Sequence, residues 1–190
     1  MKDLTRALHE IVAILDAFSV SYAVMGGVAV RIHGIPRPTY DLDFTVALGR
    51  ERLQEFFDRA IDAGYSVAEP YRQGWVDQVA GMPLVKLRIY LQDHSVDVDV
   101  FLAESEFQES VLARRQCEVF ENGRVWFVSP EDLILLKLIA GRPRDFVDVQ
   151  DIFFTQGQLD EPYLRRWAAA LGISKRLEQA LHDSQTDNSA

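Results

Sequence analysis

Apolar residues recur at Leu4, Ala7, Leu8, Ile11, Ile14, Leu15 and Phe18, and this three-and-four spacing predicts an amphipathic helix that breaks at residues 19–21. The apolar run 22–25 reads as a short buried strand. It ends at Gly26-Gly27, and the small residues Val28, Ala29 and Val30 predict a short helix behind the glycines. Gly34, Pro36 and Pro38 make the next stretch an irregular loop. From Asp41 to Val46 polar and apolar residues alternate, the pattern of a half-buried strand. Leu53, Phe56, Phe57, Ala60 and Ile61 give residues 51–63 an inward helical face, stopped at Gly64. Residues 65–71 carry no clear pattern. Val85, Leu87, Ile89 and Leu91 share one side of a strand over 84–91. Residues 95–102 alternate again after Gln92-Asp93-His94, so the two runs predict an antiparallel hairpin. Residues 107–115 read as a helix. Strands over 118–120 and 125–128 flank Asn122-Gly123, a strong hairpin signal.

The pattern then changes. Ser129 is placed to cap a helix, Pro130 suits its first turn, and Asp132 sits where it can complete a capping box. Residues 133–140 are apolar except for Lys137, and Gly141-Arg142-Pro143 breaks the run. Helices follow over 145–154, 161–171 and 174–182, and the polar end reads as disordered. The expected fold is α+β. A mixed sheet flanked by helices occupies 1–128, a helical part packed on it occupies 129–182, and a disordered tail occupies 183–190.

Composition narrows the setting. One cysteine, Cys117, excludes an internal disulfide and any Cys-rich zinc site. No run approaches the roughly 20 apolar residues of a membrane span. The N-terminus carries charges and then an amphipathic pattern, without the apolar block and small-residue cleavage site of a secretion signal. A reducing cytoplasm is the expected compartment, with no membrane partner. The formal net charge of −9 counts against a nucleic-acid binder built on a broad basic surface. It leaves room for a local basic groove, or for a cationic small-molecule substrate.

The sharpest chemical feature is Asp41-Leu42-Asp43. Alternation along a strand projects both aspartates from one face while Leu42, Phe44 and Val46 enter the core. Neighbouring carboxylates repel unless a cation shares them, and hard oxygen ligands at this spacing suit Mg²⁺. A solvated strand edge would show the same alternation. The second strand repeats the pattern, with Asp97 and Asp99 on one face and Val96, Val98 and Val100 on the other. Two such strands can gather three carboxylates around a pair of metal ions about 3.5–4 Å apart, the arrangement that clamps a phosphoryl displacement. The third carboxylate, Asp97 or Asp99, could also accept the nucleophile's proton.

Other residues add to this set. Gly26 and Gly27, between a strand and a helix, let backbone N–H groups approach a phosphate, although close packing is the commoner reason for paired glycines. Arg37 and Thr39 stand just before Asp41, and Arg37 could hold a triphosphate. Arg31 and His33 are less specific. Lys137, alone among apolar neighbours, must reach water, a phosphate or a carboxylate. Asp145 and Asp148, three apart on one side of a helix, could pair with it, or with Arg142 or Arg144. Arg165, Arg166, Lys175 and Arg176 could line a groove for RNA, or be solvated helix faces.

Gly26-Gly27, then Arg37-Pro38-Thr39-Tyr40-Asp41-Leu42-Asp43, then a later aspartate strand, resembles the DNA-polymerase-beta-like nucleotidyltransferase superfamily. The segment from Ser129-Pro130-Glu131-Asp132-Leu133 through Lys137, with Arg144-Asp145-Phe146-Val147-Asp148, resembles the branch of AbiEii-type toxins. The resemblance runs from about Tyr22 to about Phe154. It implies transfer of a nucleoside monophosphate from an NTP such as ATP to an acceptor, either RNA such as a tRNA end or a small molecule of the aminoglycoside type. A non-catalytic nucleotide-binding module is the alternative from another class. The resemblance further implies donor contacts from Gly26, Gly27, Arg37, Lys137 and Asp148, two Mg²⁺ ions on Asp41 and Asp43, and an antitoxin partner. It favours Asp99 as the third carboxylate and leaves Asp97 open. Much of the superfamily has Gly-Ser where this chain has Gly26-Gly27, so a backbone N–H must serve in place of the hydroxyl.

Overall fold

The computed structural model describes residues 2–187. Helix α1 (Lys2–Ala17) leads into β1 (Tyr22–Met25), α2 (Gly26–His33) and β2 (Asp41–Val46). After a 3-10 turn come α3 (Leu53–Asp62), β3 (Tyr65–Val67), α4 (Glu69–Arg72) and β4 (Asp77–Val79). The long hairpin of β5 (Met82–Tyr90) and β6 (Ser95–Leu102) follows, then α5 (Glu106–Ala113) and the hairpin of β7 (Gln116–Phe120) and β8 (Gly123–Phe127). Helices α6 (Pro130–Ala140), α7 (Pro143–Thr155), α8 (Glu161–Ala170) and α9 (Ser174–Asp187) complete the α+β fold.

All the strands share one mixed sheet in the order β3-β5-β6-β2-β1-β8-β7, with β4 also paired to β5. Strand β2 lies between antiparallel β1 and parallel β6. Leu42, Phe44 and Val46 of β2, with Val96, Val98 and Val100 of β6, are buried in the core. The alternation that buries them leaves Asp41, Asp43, Asp97 and Asp99 together on the other face. Helices α1 and α5 pack against β2, and α1 also meets α3. Helices α6 and α7 pack on each other and on α2. Helix α6 is buried on nearly all sides, which explains its almost unbroken apolar sequence.

Several local expectations change. Helix α2 begins at Gly26 itself, not behind the glycines. Ile61 is 37% exposed rather than inward. The stripe Leu53, Phe56, Phe57 and Ala60 fills the buried face, and Ile61 is turned about 100° from Ala60. The patternless stretch 65–71 holds β3 and α4, too short to show a period. The capping box at Ser129 is half formed. Its hydroxyl accepts from the Asp132 N–H, but the Asp132 carboxylate meets the Ser129 hydroxyl and, at 2.5 Å, the Tyr163 hydroxyl. Helix α9 runs to Asp187, past the expected end at 182, and Gln179 reaches Asp183 one turn on at 2.7 Å. Of the tail expected to be disordered, residues 188–190 lie outside the described residues.

Candidate active site

The register of β2 and β6 builds the site floor. Asp41 stands beside Asp97 and Asp43 beside Asp99, in two adjacent rows. Strand β5 extends both rows, with Arg88 opposite Asp97 and Lys86 opposite Asp99. The four carboxylates, Gly26, Gly27 and Arg37, together with Lys137, Arg142, Arg144 and Asp145, line a cleft of about 530 Å³.

The two glycines are required by close approach. Gly26 has φ +64°, and a Cβ there would fall 1.9 Å from Asp43 Oδ2. A Cβ on Gly27 would fall 2.4 Å from the Thr39 hydroxyl. The Asp43 carboxylate is thus pressed onto the start of α2. Met25 gives that helix no side-chain cap, and its first two residues, Gly26 and Gly27, line the cleft. The Thr39 hydroxyl donates to Asp41 Oδ1 at 2.8 Å and fixes its orientation. His33, buried, shares a hydrogen bond with the Val128 carbonyl at 2.7 Å and so ties α2 to the end of β8. That is a packing role.

Electrostatics set the aspartates apart. Burial, with repulsion from Asp41 and Asp99, pushes the Asp43 carboxyl up to about 7, against the opposing pull of Lys137 and Arg142. Burial also raises Asp99, although Lys86 Nζ lies 3.2 Å from its carboxylate. Asp97 is more exposed and is gripped at both oxygens by the Arg88 guanidinium, Nη2 at 2.9 Å. Among the described residues no three acidic, imidazole or thiol side chains already converge into a metal cage. The fit to a cation rests on Asp43, a carboxylate pressed between two others in a setting that disfavours its charge.

The helical part supplies the opposite wall. Lys137 is buried at 4% exposure, with its ammonium 2.6 Å from Asp148 and 3.1 Å from Asp145. Arg37 donates to both oxygens of Asp148 at 2.6 and 2.8 Å. Arg142 holds Asp145 at 2.7 Å. Burial pushes both carboxyls upward. For Asp148 the hydrogen bonds from Arg37 and Lys137 outweigh it and hold the group below the usual range; for Asp145 those from Arg142 and Lys137 do so. The isolated lysine of the sequence therefore reaches carboxylates, and Arg37 meets them across the cleft. Arg142 and Arg144 line the same cleft. The sequence shows them beside Asp145 but not that they face the β2 aspartates, since that depends on how α7 docks.

A glycine turn at a helix start, two carboxylate strands in parallel register and a cationic helical wall on a mixed sheet define a nucleotidyltransferase of the DNA-polymerase-beta-like kind. The chain belongs to the family described as "Nucleotidyl transferase AbiEii toxin, Type IV TA system", which it matches over residues 10–186. No curated protein matches it in sequence. Among solved structures it is similar to an antigenic nucleotidyltransferase-like protein from Paracoccidioides brasiliensis, with 19% identity, 95% of this chain and 93% of that one covered, and a TM-score of 0.54. The antibiotic-resistance factor ANT(2'')-Ia shares 18% identity over 96% of this chain and 100% of its own, with a TM-score of 0.56. The lincosamide antibiotic adenylyltransferase LnuA shares 12% identity over 80% and 97%, with a TM-score of 0.50. At these identities the likeness is one of fold. No helix among the described residues is long and apolar enough to cross a membrane.

Proposed function

We propose that this nucleotidyltransferase moves a nucleoside monophosphate from an NTP to an acceptor hydroxyl with Mg²⁺ as cofactor. The observation that carries the reading is the β2–β6 register, which sets Asp43 beside Asp99 and Asp41 beside Asp97 at the mouth of the glycine turn.

Asp41, Asp43 and Asp99 are the residues that would hold Mg²⁺, with Asp97 engaged by Arg88. Bound there, Mg²⁺ supplies charge neutralisation and Lewis acidity at the transferring phosphoryl group. The N–H groups at the start of α2 suit the donor's phosphates. Arg142 and Arg144 add positive charge to the opposite wall. Lys137, Asp148 and Arg37 form the ion-paired bracket that holds that wall in place, and Arg37 and Lys137 retain access to the cleft. The acceptor oxygen forms a bond to the α-phosphorus as the bond to the bridging oxygen breaks. Pyrophosphate leaves with the electron pair, and the acceptor's proton passes to Asp99 and then to water. The intact acidic set counts against a module that only binds nucleotide. The family's description as the toxin of a TA system also supports an antitoxin protein as partner, and the cytoplasm stays the proposed place of action.

The test is incubation of the full chain with labelled NTPs, Mg²⁺ and total RNA or candidate small molecules. Label transfer should require Mg²⁺. Asp43→Asn should lower it by more than the roughly 100-fold that loss of an outer-shell metal partner costs. Transfer unchanged in Asp43→Asn would reject the assignment.

A further inference from the structure

Helix α7 shows solvent a different surface from its neighbours α8 and α9. Their outward faces carry Glu161, Arg165 and Glu178, which pair with one another. On α7 the outward positions include Val147, 59% exposed, and Phe154, 73% exposed. They are separated by roughly two turns of helix, so they lie on one line. Ile35 extends this patch at 45% exposure. Its loop is tied along α7, since the Thr155 hydroxyl and the Gln156 amide donate to the His33 carbonyl and Arg37 binds Asp148. Single apolar side chains scattered over a surface need no explanation, but an aligned set marks a contact face.

Two charged residues complete the line. Arg144 is exposed and stands one turn before Val147, and Asp151 is half-buried and stands between Val147 and Phe154. The positions 144, 147, 151 and 154 follow the alternating three-and-four step of a helix–helix seam. Among the described residues Arg144 is in no ion pair. Asp151 has no bonded cation either, because the nearby Arg37 guanidinium is taken by both oxygens of Asp148. Burial and the Asp148 charge push the Asp151 carboxyl upward, so a cation supplied from outside would stabilise its charged form. These charges select both the occupant and its direction. A second α7 laid parallel would set arginine against arginine and aspartate against aspartate. Laid antiparallel across a two-fold axis level with Val149, it brings Arg144 of each copy to Asp151 and Phe154 of the other. The guanidinium then gains a carboxylate and an aromatic ring. The two Arg144 side chains stand about 15 Å apart along such a seam, beyond the roughly 8 Å screening length of physiological salt.

We propose that the outward face of α7 is a self-association surface, on which a second copy of this chain docks antiparallel through Arg144, Val147, Asp151 and Phe154. The pairing does not depend on the chemistry of the cleft. Sedimentation velocity of the full chain over a wide concentration range should show a reversible monomer–dimer equilibrium. Phe154→Ala should weaken the dimer at least about tenfold, because each copy loses an aromatic anchor. Arg144→Glu and Asp151→Arg should each weaken it at least about tenfold, because each sets like charges against one another. The exchange Arg144→Glu/Asp151→Arg remakes both pairings and should return the affinity to within about threefold of wild type. The changed side chains are exposed or half-buried, so the circular dichroism of every variant should match that of the wild type. A wild type that stays monomeric at every concentration would overturn the proposal and leave the stripe to a different partner. A dimer untouched by Phe154→Ala and by Arg144→Glu would overturn it by placing the interface on another face. Single variants that weaken the dimer, with no rescue by the exchange, would overturn the antiparallel pairing.

Discussion

Asp43 joins the local geometry to the chemistry. Its carboxylate lies against Gly26, where no side chain fits, and is flanked by Asp41 and Asp99. Its pKa of about 7, against an ordinary value of 3.8, means that the folded chain retains a proton that the unfolded chain releases. This contribution therefore favours folding at low pH, weakens as pH rises through about 4 to about 7, and is a fixed cost above that. In metal-free buffer with a chelator, Asp43→Asn should melt higher than wild type above about pH 7, and the gap should close toward about pH 4. Added Mg²⁺ should raise the wild-type melting temperature more than that of the variant. A gap that does not change with pH would mean that Asp43 is not held in a buried setting among repelling carboxylates.

Elements carry the next level of the design, and here the contrast between sequence and structure is instructive. The strands β2, β5 and β6 were legible because each has one buried and one open face, which stamps a period of two on the chain. The four aspartate positions followed from that period, and the glycine turn from the pair Gly26-Gly27 between a strand and a helix. The period does not separate Asp97 from Asp99, because both stand on the same face, each opposite a basic residue of β5. Lys86 and Arg88 were visible as the polar positions of an alternating strand, and only the hairpin register points them at the acids. Likewise β3, α4 and β4 are too short to display a period, and the half-formed cap at Ser129 reflects Asp132 being taken by Tyr163 from a distant helix. The α6–α7 pair was readable as a lysine near two aspartates, and the structure turns it into a buried network. Removing one member leaves buried charge uncompensated, which typically costs about 3–5 kcal/mol. Arg37 and Arg142 remain to cover Asp148 and Asp145, so Lys137→Ala should cost toward the lower end, roughly 3 kcal/mol, a drop in melting temperature of about 6–12 °C. Denaturant titration of Lys137→Ala beside Lys137→Met checks this. A loss under about 1 kcal/mol would show that the arginines alone neutralise the pair.

At the scale of the whole molecule, the cleft belongs to two parts of the chain that are distant in sequence. Its floor comes from β2 and β6 and the start of α2, while its wall comes from the end of α6 and the start of α7. The wall reaches the floor through Arg37 and Asp148, 111 residues apart, and through the Thr155 hydroxyl and the Gln156 amide, which both donate to the His33 carbonyl. A nucleotide lodged between them would have to draw on both parts at once. NTP with Mg²⁺ at about 100 times its Kd should stabilise the fold by about 2.7 kcal/mol. For a chain of this size that is a rise in melting temperature of roughly 5–10 °C, abolished by a chelator. Hydrogen exchange should slow together at the first turn of α2 and at residues 141–146, because one ligand would close both openings. Protection confined to α2 would place the donor on the sheet part alone and leave Arg142 and Arg144 outside the donor site.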